Sequence, residues 1–519
     1  MLLPRTPVLF ASLSLFCAAS ILSAAPIHDA VASRDLAQVQ AALKGDAEAL
    51  NATDKDGNTP LNLASFYGDA EIVDLLLSKG ANVEKPNKAG LTPLVSAVSG
   101  NIPIVAEHLI QHGANKETQI RMGVTPLIYA SARGYKEVAK VLLDNGANVN
   151  AVAQDGSTAL CAAAQLGREE IVKLLLEHKA DASIGAIVKG DASFKATPLV
   201  LAVRDGRTGT VKILLDAGVP ADTEASQKCA PLFLAVLNGR AEIAKLLLAK
   251  GAASERTYKN TTPLLKASMD GRTDIIEMLL SAGANINSQA SNKHGTALLA
   301  AICSRKVEAA KFLIAKGADV NLADTEGFTP LIYASAQGEL EVVTLLLSKG
   351  ANEAATCDIG ADAFNAAACG GHSDVVKLFL DRGAKVNVEC KGGARPLDLA
   401  ADSGNLDTVK LLVEHGAEIN YTRSDDGTSP LAAAVCQGGK DMVAYLLGKG
   451  AKVDTVDHDG DTPLCEASIH QTDTTITQLL VEHGADVNHH NKAGETPLSK
   501  AVKLGHLAIA DYLRAHGAK

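Results

Sequence analysis

Residues 327–352, GFTPLIYASAQGELEVVTLLLSKGAN, predict two short helices in one unit. Thr329 supplies a side-chain oxygen for an N-cap, and Pro330 suits the first helical turn, where its missing N–H is not needed. Leu331 and Ala334 mark the apolar side of a first helix that stops at Gly338. A second helix follows from about residue 339, with Val342, Val343, Leu346 and Leu347 at helical spacing, and Gly350 stands where a left-handed residue ends it. Two helices of this length cannot bury their apolar sides alone, so the unit requires copies of itself.

The copies run along the chain. Anchors like Thr329-Pro330-Leu331 begin at Thr59, Thr92, Thr125, Thr158, Thr197, Ala230, Thr262, Thr296, Thr329, Asp362, Arg395, Ser429, Thr462 and Thr496. They are 32–34 residues apart, except for one gap of 39 before Thr197. Five residues after every anchor stands alanine, from Ala64 to Ala501. Four residues before every helix-ending position stands Leu, replaced once by Phe379. One small and one large position per repeat specify a core that grows by addition, each repeat touching only its neighbours. That is how 519 residues fold without one oversized core. The composition, 47% hydrophobic but 3% aromatic with no Trp, suits a core of Ala, Leu and Val.

A 33-residue period carrying T-P-L-x-x-A resembles the ankyrin-repeat family, over nearly all of the chain after residue 25. The resemblance implies an all-α solenoid: an ankyrin-repeat array of helix-turn-helix units joined by β-hairpin-like loops. About fourteen repeats and an N-terminal capping repeat at 27–50 are expected. No linker or low-complexity tract divides the array, so residues 26–519 read as a single ankyrin-repeat domain. The chain departs from the family after Thr-Pro-Leu, where His is frequent: here Asn62, Ile128, Cys161, Asp398 and others stand, never His. More apolar packing at the hairpin base is expected there. Residues 183–194 hold six extra residues, read either as a binding loop or as a longer hairpin. Asp362-Ala363-Phe364 replaces Thr-Pro-Leu, predicting a looser first helix, and one extra residue falls within 471–474.

Residues 1–25 read as a secretory signal peptide. Arg5 gives the positive start, 8–22 are mostly apolar, and Ser23-Ala24-Ala25 are small residues suited to cleavage, with a site near Ala19 or Ser20 as the alternative because Pro26 hinders a cut before it. The apolar run falls short of the roughly 20 residues a spanning helix needs, so no stable membrane insertion is expected once the signal is cut. The reading is an exported protein, periplasmic or secreted.

Known catalytic spacings are missing: there is no H-E-x-x-H, no G-x-x-x-x-G-K-[ST], no G-x-S-x-G and no C-x-x-C. No enzyme, cofactor or established metal site is therefore expected. His112, His178, His415, His483 and His516 fall at the ends of second helices, where a cation suits the dipole. His372 and His506 occupy the family's usual His position at the start of the second helix. Near the C-terminus, Asp457, His458, Asp459, His470, His489 and His490 approach one another in the repeat register and form the one candidate metal-binding group. Cysteine positions argue against a disulfide framework, with Cys436 and Cys465 the pair best placed to bond.

Charge excludes one partner class. Nucleic-acid binding wants a basic stripe and a high pI, whereas the net charge is −10 and the pI about 5.8. The resemblance implies a protein partner, bound by a monomer on the concave surface of hairpin tips and first helices. Phe66, Tyr67, Arg121, Met122, Arg133, Arg204 and Tyr258 are variable positions of residue types enriched at interfaces. Asp425, Asp426, Asp457, Asp459 and Asp461 make the C-terminal half more acidic. The expected function is an exported interaction scaffold or inhibitor. The alternatives are a secreted effector acting on another organism's proteins, or a metal-binding protein.

Overall fold

The computed structural model describes residues 26–45, 47–188, 191–223, 229–289 and 295–519. The expected signal, 1–25, lies outside them. The described chain is an array of helix-turn-helix repeats of the all-α solenoid class. Its contacts gather into two compact units: residues up to Pro263 with Glu277–Ala284, and Leu264–Ile276 with Asn285–Lys519. No sequence linker marks this division, which falls within the repeat that starts at Thr262.

Within each unit, helices form two rows. In the first unit Pro60–Tyr67 packs on Pro93–Ser99, and the second helices Ala70–Ser78 and Pro103–Gln111 pack likewise. In the second unit Pro330–Gln337 packs on Ala363–Cys369, and Leu340–Ser348 on Ser373–Asp381. The reason lies in the two repeated positions. All fourteen anchor alanines, Ala64 to Ala501, have 0% exposure, so first helices close on each other over a methyl group. Leu76, Leu142, Leu346, Leu480 and their equivalents are also fully buried, and Phe379 is 2% exposed. Each such leucine contributes about 1.5–3 kcal/mol by leaving water.

The ends follow from single residues. The Thr329 hydroxyl accepts the Ile332 N–H at 3.2 Å, capping Pro330–Gln337, which stops at Gly338 with φ +71. The second helix, Leu340–Ser348, closes with Gly350 at φ +83. There the Ala351 N–H reaches the Leu346 carbonyl and the Gly350 N–H the Leu347 carbonyl, a paired closure that needs a left-handed residue. The looser helix expected at Asp362 is not found. Ala363–Cys369 forms, because the Asp362 carboxylate accepts the Asn365 N–H at 2.8 Å and replaces threonine as cap. Among the described residues, two anchors make no side-chain cap bond: Ala230, before Pro231–Leu237, and Arg395, before Pro396–Asp402, where Asp398 instead accepts the Arg395 N–H.

The six-residue insertion lengthens a hairpin. Ala186–Val188 pairs antiparallel with Asp191–Ala196, Ile187 opposite Lys195. The extra residue near 471 is absorbed by extended backbone at Gln471, so the following helix starts only at Thr475. Pro26–Ala32 and Leu36–Gly45 form the N-terminal capping pair.

Two sets of hydrogen bonds tie neighbouring repeats. Asn321 Oδ1 accepts the Asn352 N–H at 2.8 Å, and Asn150, Asn287, Asn387 and Asn420 do the same one repeat on. Each of these asparagines stands four residues after a helix-ending glycine, a period the sequence carries openly. The second set runs from the start of a second helix to the end of the first helix in the preceding repeat, or to the turn just after it. Arg168 donates to the Ala132 carbonyl, Arg207 to Gln165, His372 to Ala336 and Asn405 to Gly371.

Candidate functional site

The expected partner-binding residues all belong to the first unit. Three end first helices: Tyr67 closes Pro60–Tyr67 beside Phe66, Arg133 closes Pro126–Arg133, and Arg204 closes Pro198–Arg204. The other three lie in the turns, Arg121 and Met122 in one and Tyr258 in another. Phe66 and Tyr67 are half-buried and meet edge to face, ring centroids 5.7 Å apart. Arg133 is exposed, its guanidinium 5.5 Å from the Tyr129 ring, with Nε donating to the Tyr129 hydroxyl at 3.3 Å. Arg121 and Met122 are exposed on a left-handed turn, with Met122 at φ +64. Tyr258 packs half-buried on Phe233 at 5.3 Å.

Arg204 departs from the expectation. It is 7% exposed, held by Asp205 at 2.9 Å in a bidentate pair, and its Nη1 has no hydrogen-bond partner. The apolar stem lies in the repeat stack, so Arg204 is a packing residue and not part of an open surface.

The helix-end histidines are used by the backbone. His112, His415, His483 and His516 each donate from Nδ1 to the carbonyl four residues earlier, at 2.8 Å. His178 instead faces Asp144 at 3.7 Å. The positions after Thr-Pro-Leu are apolar and buried where the residue permits, as at Ile128 and Val200. Asn62 is polar and fully buried, and it repays this by accepting the Thr59 N–H and donating to the Leu91 carbonyl. Asp398 is the costly one. Its Oδ2 accepts the Arg395 N–H at 2.9 Å, Oδ1 has no hydrogen-bond partner, and burial pushes the carboxyl up to about 7.

In the second unit the expected C-terminal metal group is only partly assembled. Asp457, half-buried, and His470, exposed, both converge on Glu466, whereas the exposed His458, Asp459 and His490 do not join them. His489 donates to the Gly460 carbonyl at 2.7 Å and is a structural tie. Asp457, Asp461 and Glu466 bring carboxylate oxygens within 4.8 Å of one another. Asp461 is neutralised there by Lys500 at 2.8 Å and by the Asn491 amide at 3.0 Å. The residues that sequence reasoning missed are Glu466 and Cys436. Glu466 stands four residues before His470, hence on the same helical face, and Cys436 thirty residues earlier ends the neighbouring first helix. The Cys436 thiol donates to Glu466 Oε2 at 3.3 Å, and His470 Nε2 is 3.2 Å from the same oxygen. Cys436 and Glu466, with Asp457 and Asp461, border a pocket of about 100 Å³ lined also by Thr428, Ser429 and Thr455, and His470 stands outside that lining. Burial raises the Glu466 carboxyl above its ordinary range. Burial, with Glu466 beside it, pushes the Cys436 thiol up to about 12.

All eight described cysteines are free, including Cys436 and Cys465. Cys465 turns into the core against the Thr462 hydroxyl while Cys436 faces Glu466, so the best-placed pair does not meet. Burial holds the Cys229, Cys303 and Cys465 thiols up at about 11, far from the thiolate a nucleophile needs. Among the described residues, no helix is long and apolar enough to cross a membrane.

Stacked helical pairs with packing positions repeated along the chain and variable first-helix ends define a repeat scaffold. The family profile described as ankyrin repeats (three copies) matches residues 27–120, 105–186, 199–290, 264–357, 353–423 and 431–519. The chain belongs to the ankyrin-repeat family. Ankyrin repeats typically mediate protein–protein interaction, and the family is generally a non-enzymatic scaffold. Among solved structures, the chain is similar to the human ASB11 ankyrin repeat domain, at 25% identity and a TM-score of 0.38. That match covers 50% of this chain and 99% of the other. No curated protein matches.

Proposed function

We propose that this chain is an exported scaffold or inhibitor that, as a monomer, holds a partner protein on the face made by its first helices and turns. The observation that carries the reading is where Phe66, Tyr67, Arg121, Met122, Arg133 and Tyr258 stand. They occupy first-helix ends and turns, positions the repeat does not need for its leucine and alanine core. Aromatic, Met and Arg side chains held rigidly on a stacked framework lose little entropy when a partner covers them. Arg204 has no place in this surface.

Export rests on the composition of residues 1–25, and the net charge of −10 favours a protein partner over nucleic acid. The experiment is in situ cross-linking of tagged full-length protein, with mass spectrometry of the captured proteins and of the mature N-terminus. One dominant protein is expected, together with a mature chain beginning near residue 26. Replacing Phe66, Tyr67 and Arg133 by Ala is expected to remove the captured protein. Capture that survives these changes would overturn the site, and an uncut N-terminus would overturn export.

A further inference from the structure

The pocket in the second unit does not belong to the surface assigned to a partner, and its chemistry is of a different kind. We infer that Cys436, Glu466 and His470 bind one divalent transition-metal ion of the zinc class, with Asp457 at the margin of the site.

Three donors of three kinds converge from two neighbouring helices. Cys436 is the last residue of Pro430–Cys436, and Glu466 and His470 share one face of Pro463–His470. Sγ, a Glu466 oxygen and an imidazole nitrogen all lie within 4.8 Å of one another, with edges of 3.3 Å and 3.2 Å at Oε2. A tetrahedral zinc with bonds of about 2.0–2.3 Å has ligand–ligand edges of about 3.3–3.8 Å, so small side-chain adjustments suffice. Thiol, imidazole and carboxylate together suit zinc or cobalt better than the all-oxygen ions magnesium and calcium.

Charge and space point the same way. Asp461 has its cation in Lys500, but among the described residues no Lys or Arg pairs with Asp457 or Glu466. Asp457 Oδ1 is held by the Asp459 and Asp461 N–H groups at 2.9 and 2.8 Å, whereas the Glu466 carboxylate is met only by the Cys436 thiol and the His470 imidazole, the two groups that would share a dication with it. The pocket of about 100 Å³ on the Cys436 and Glu466 side of the triad, away from His470, has room for a water in the fourth position of such an ion. The extended backbone at Gln471, anchored by its amide to the Val435 carbonyl at 2.7 Å, fixes the end of the helix that carries His470.

The test uses purified full-length protein stripped with a chelator and titrated with Zn²⁺ by calorimetry, with Co²⁺ as a spectroscopic probe. One equivalent is expected, and Co²⁺ should show a thiolate charge-transfer band that is lost in Cys436→Ser. Glu466→Gln and His470→Ala should each weaken Zn²⁺ at least tenfold, while His458→Ala and His490→Ala leave it unchanged. Should a variant unfold, the unmodified protein still decides: Zn²⁺ must slow alkylation of Cys436 and spare that of the exposed Cys369. No zinc binding, binding indifferent to all three ligand variants, or an unprotected Cys436 would each overturn the site.

Discussion

Asp398 shows how one buried group can make the stability of the whole array depend on pH. Its carboxyl is 1% exposed, with Oδ1 unpaired, and burial pushes it up to about 7 from an ordinary 3.8. A raised carboxylic acid binds its proton more tightly in the folded chain than in the unfolded one. The stability this lends is therefore full below the ordinary value and is lost as pH rises through about 7. Asp398→Asn keeps the acceptor for the Arg395 N–H and removes the charge. We expect the variant to be more stable than the parent by about 1–3 kcal/mol at pH 8, with the difference vanishing near pH 4. Urea unfolding across that range checks it; a difference independent of pH would contradict the burial argument. The Asp in place of the family's His is plain in the sequence, but its isolation from any donor to Oδ1 is a property of packing.

At the scale of the element, the caps explain which first helices are firm. Threonine hydroxyls cap most of them, Asp362 does so for its own helix, and Ala230 and Arg395 leave Pro231–Leu237 and Pro396–Asp402 without a side-chain cap. Ala230→Thr should raise stability by about 0.5–1 kcal/mol, and Thr329→Ala should lower it by about 1 kcal/mol, both read by thermal unfolding. Equal and opposite silence, with neither change moving the midpoint, would mean that the caps are not what fixes these helices. Helix pairs, the alanine and leucine packing positions and the helix-ending glycines were legible because each is a local, periodic signal. The looser helix expected at Asp362 did not materialise because aspartate caps as well as threonine. The ties between repeats were legible in principle, in the Asn four residues after several of the helix-ending glycines, but their partners lie about one repeat away.

For the whole molecule, the repeat makes the fold additive and leaves function to the positions that repetition does not use. That division explains what could be read in advance. Phe66, Tyr67, Arg133 and the turn residues stand out because they break the pattern, and the structure leaves them accessible. Arg204 breaks it too, yet it is drawn under by Asp205, since the sequence shows residue type but not the depth of a helix end. Glu466 and Cys436 were missed for the converse reason. Each is ordinary in its own repeat, and only stacking brings thiol, carboxylate and imidazole to one place. Sites of that kind arise between repeats, so no window along the chain contains them.

A scaffold of this kind works only if the first-helix face is the one a partner covers. The most direct measurement places a photo-cross-linking residue at Tyr67, and separately at the exposed Glu71 on the second helix of the same repeat. Irradiation in the living cell, followed by mass spectrometry, reads what each position touches. One abundant protein is expected to cross-link from position 67, with little or none from position 71. Equal capture from both positions, or capture from 71 alone, would contradict it.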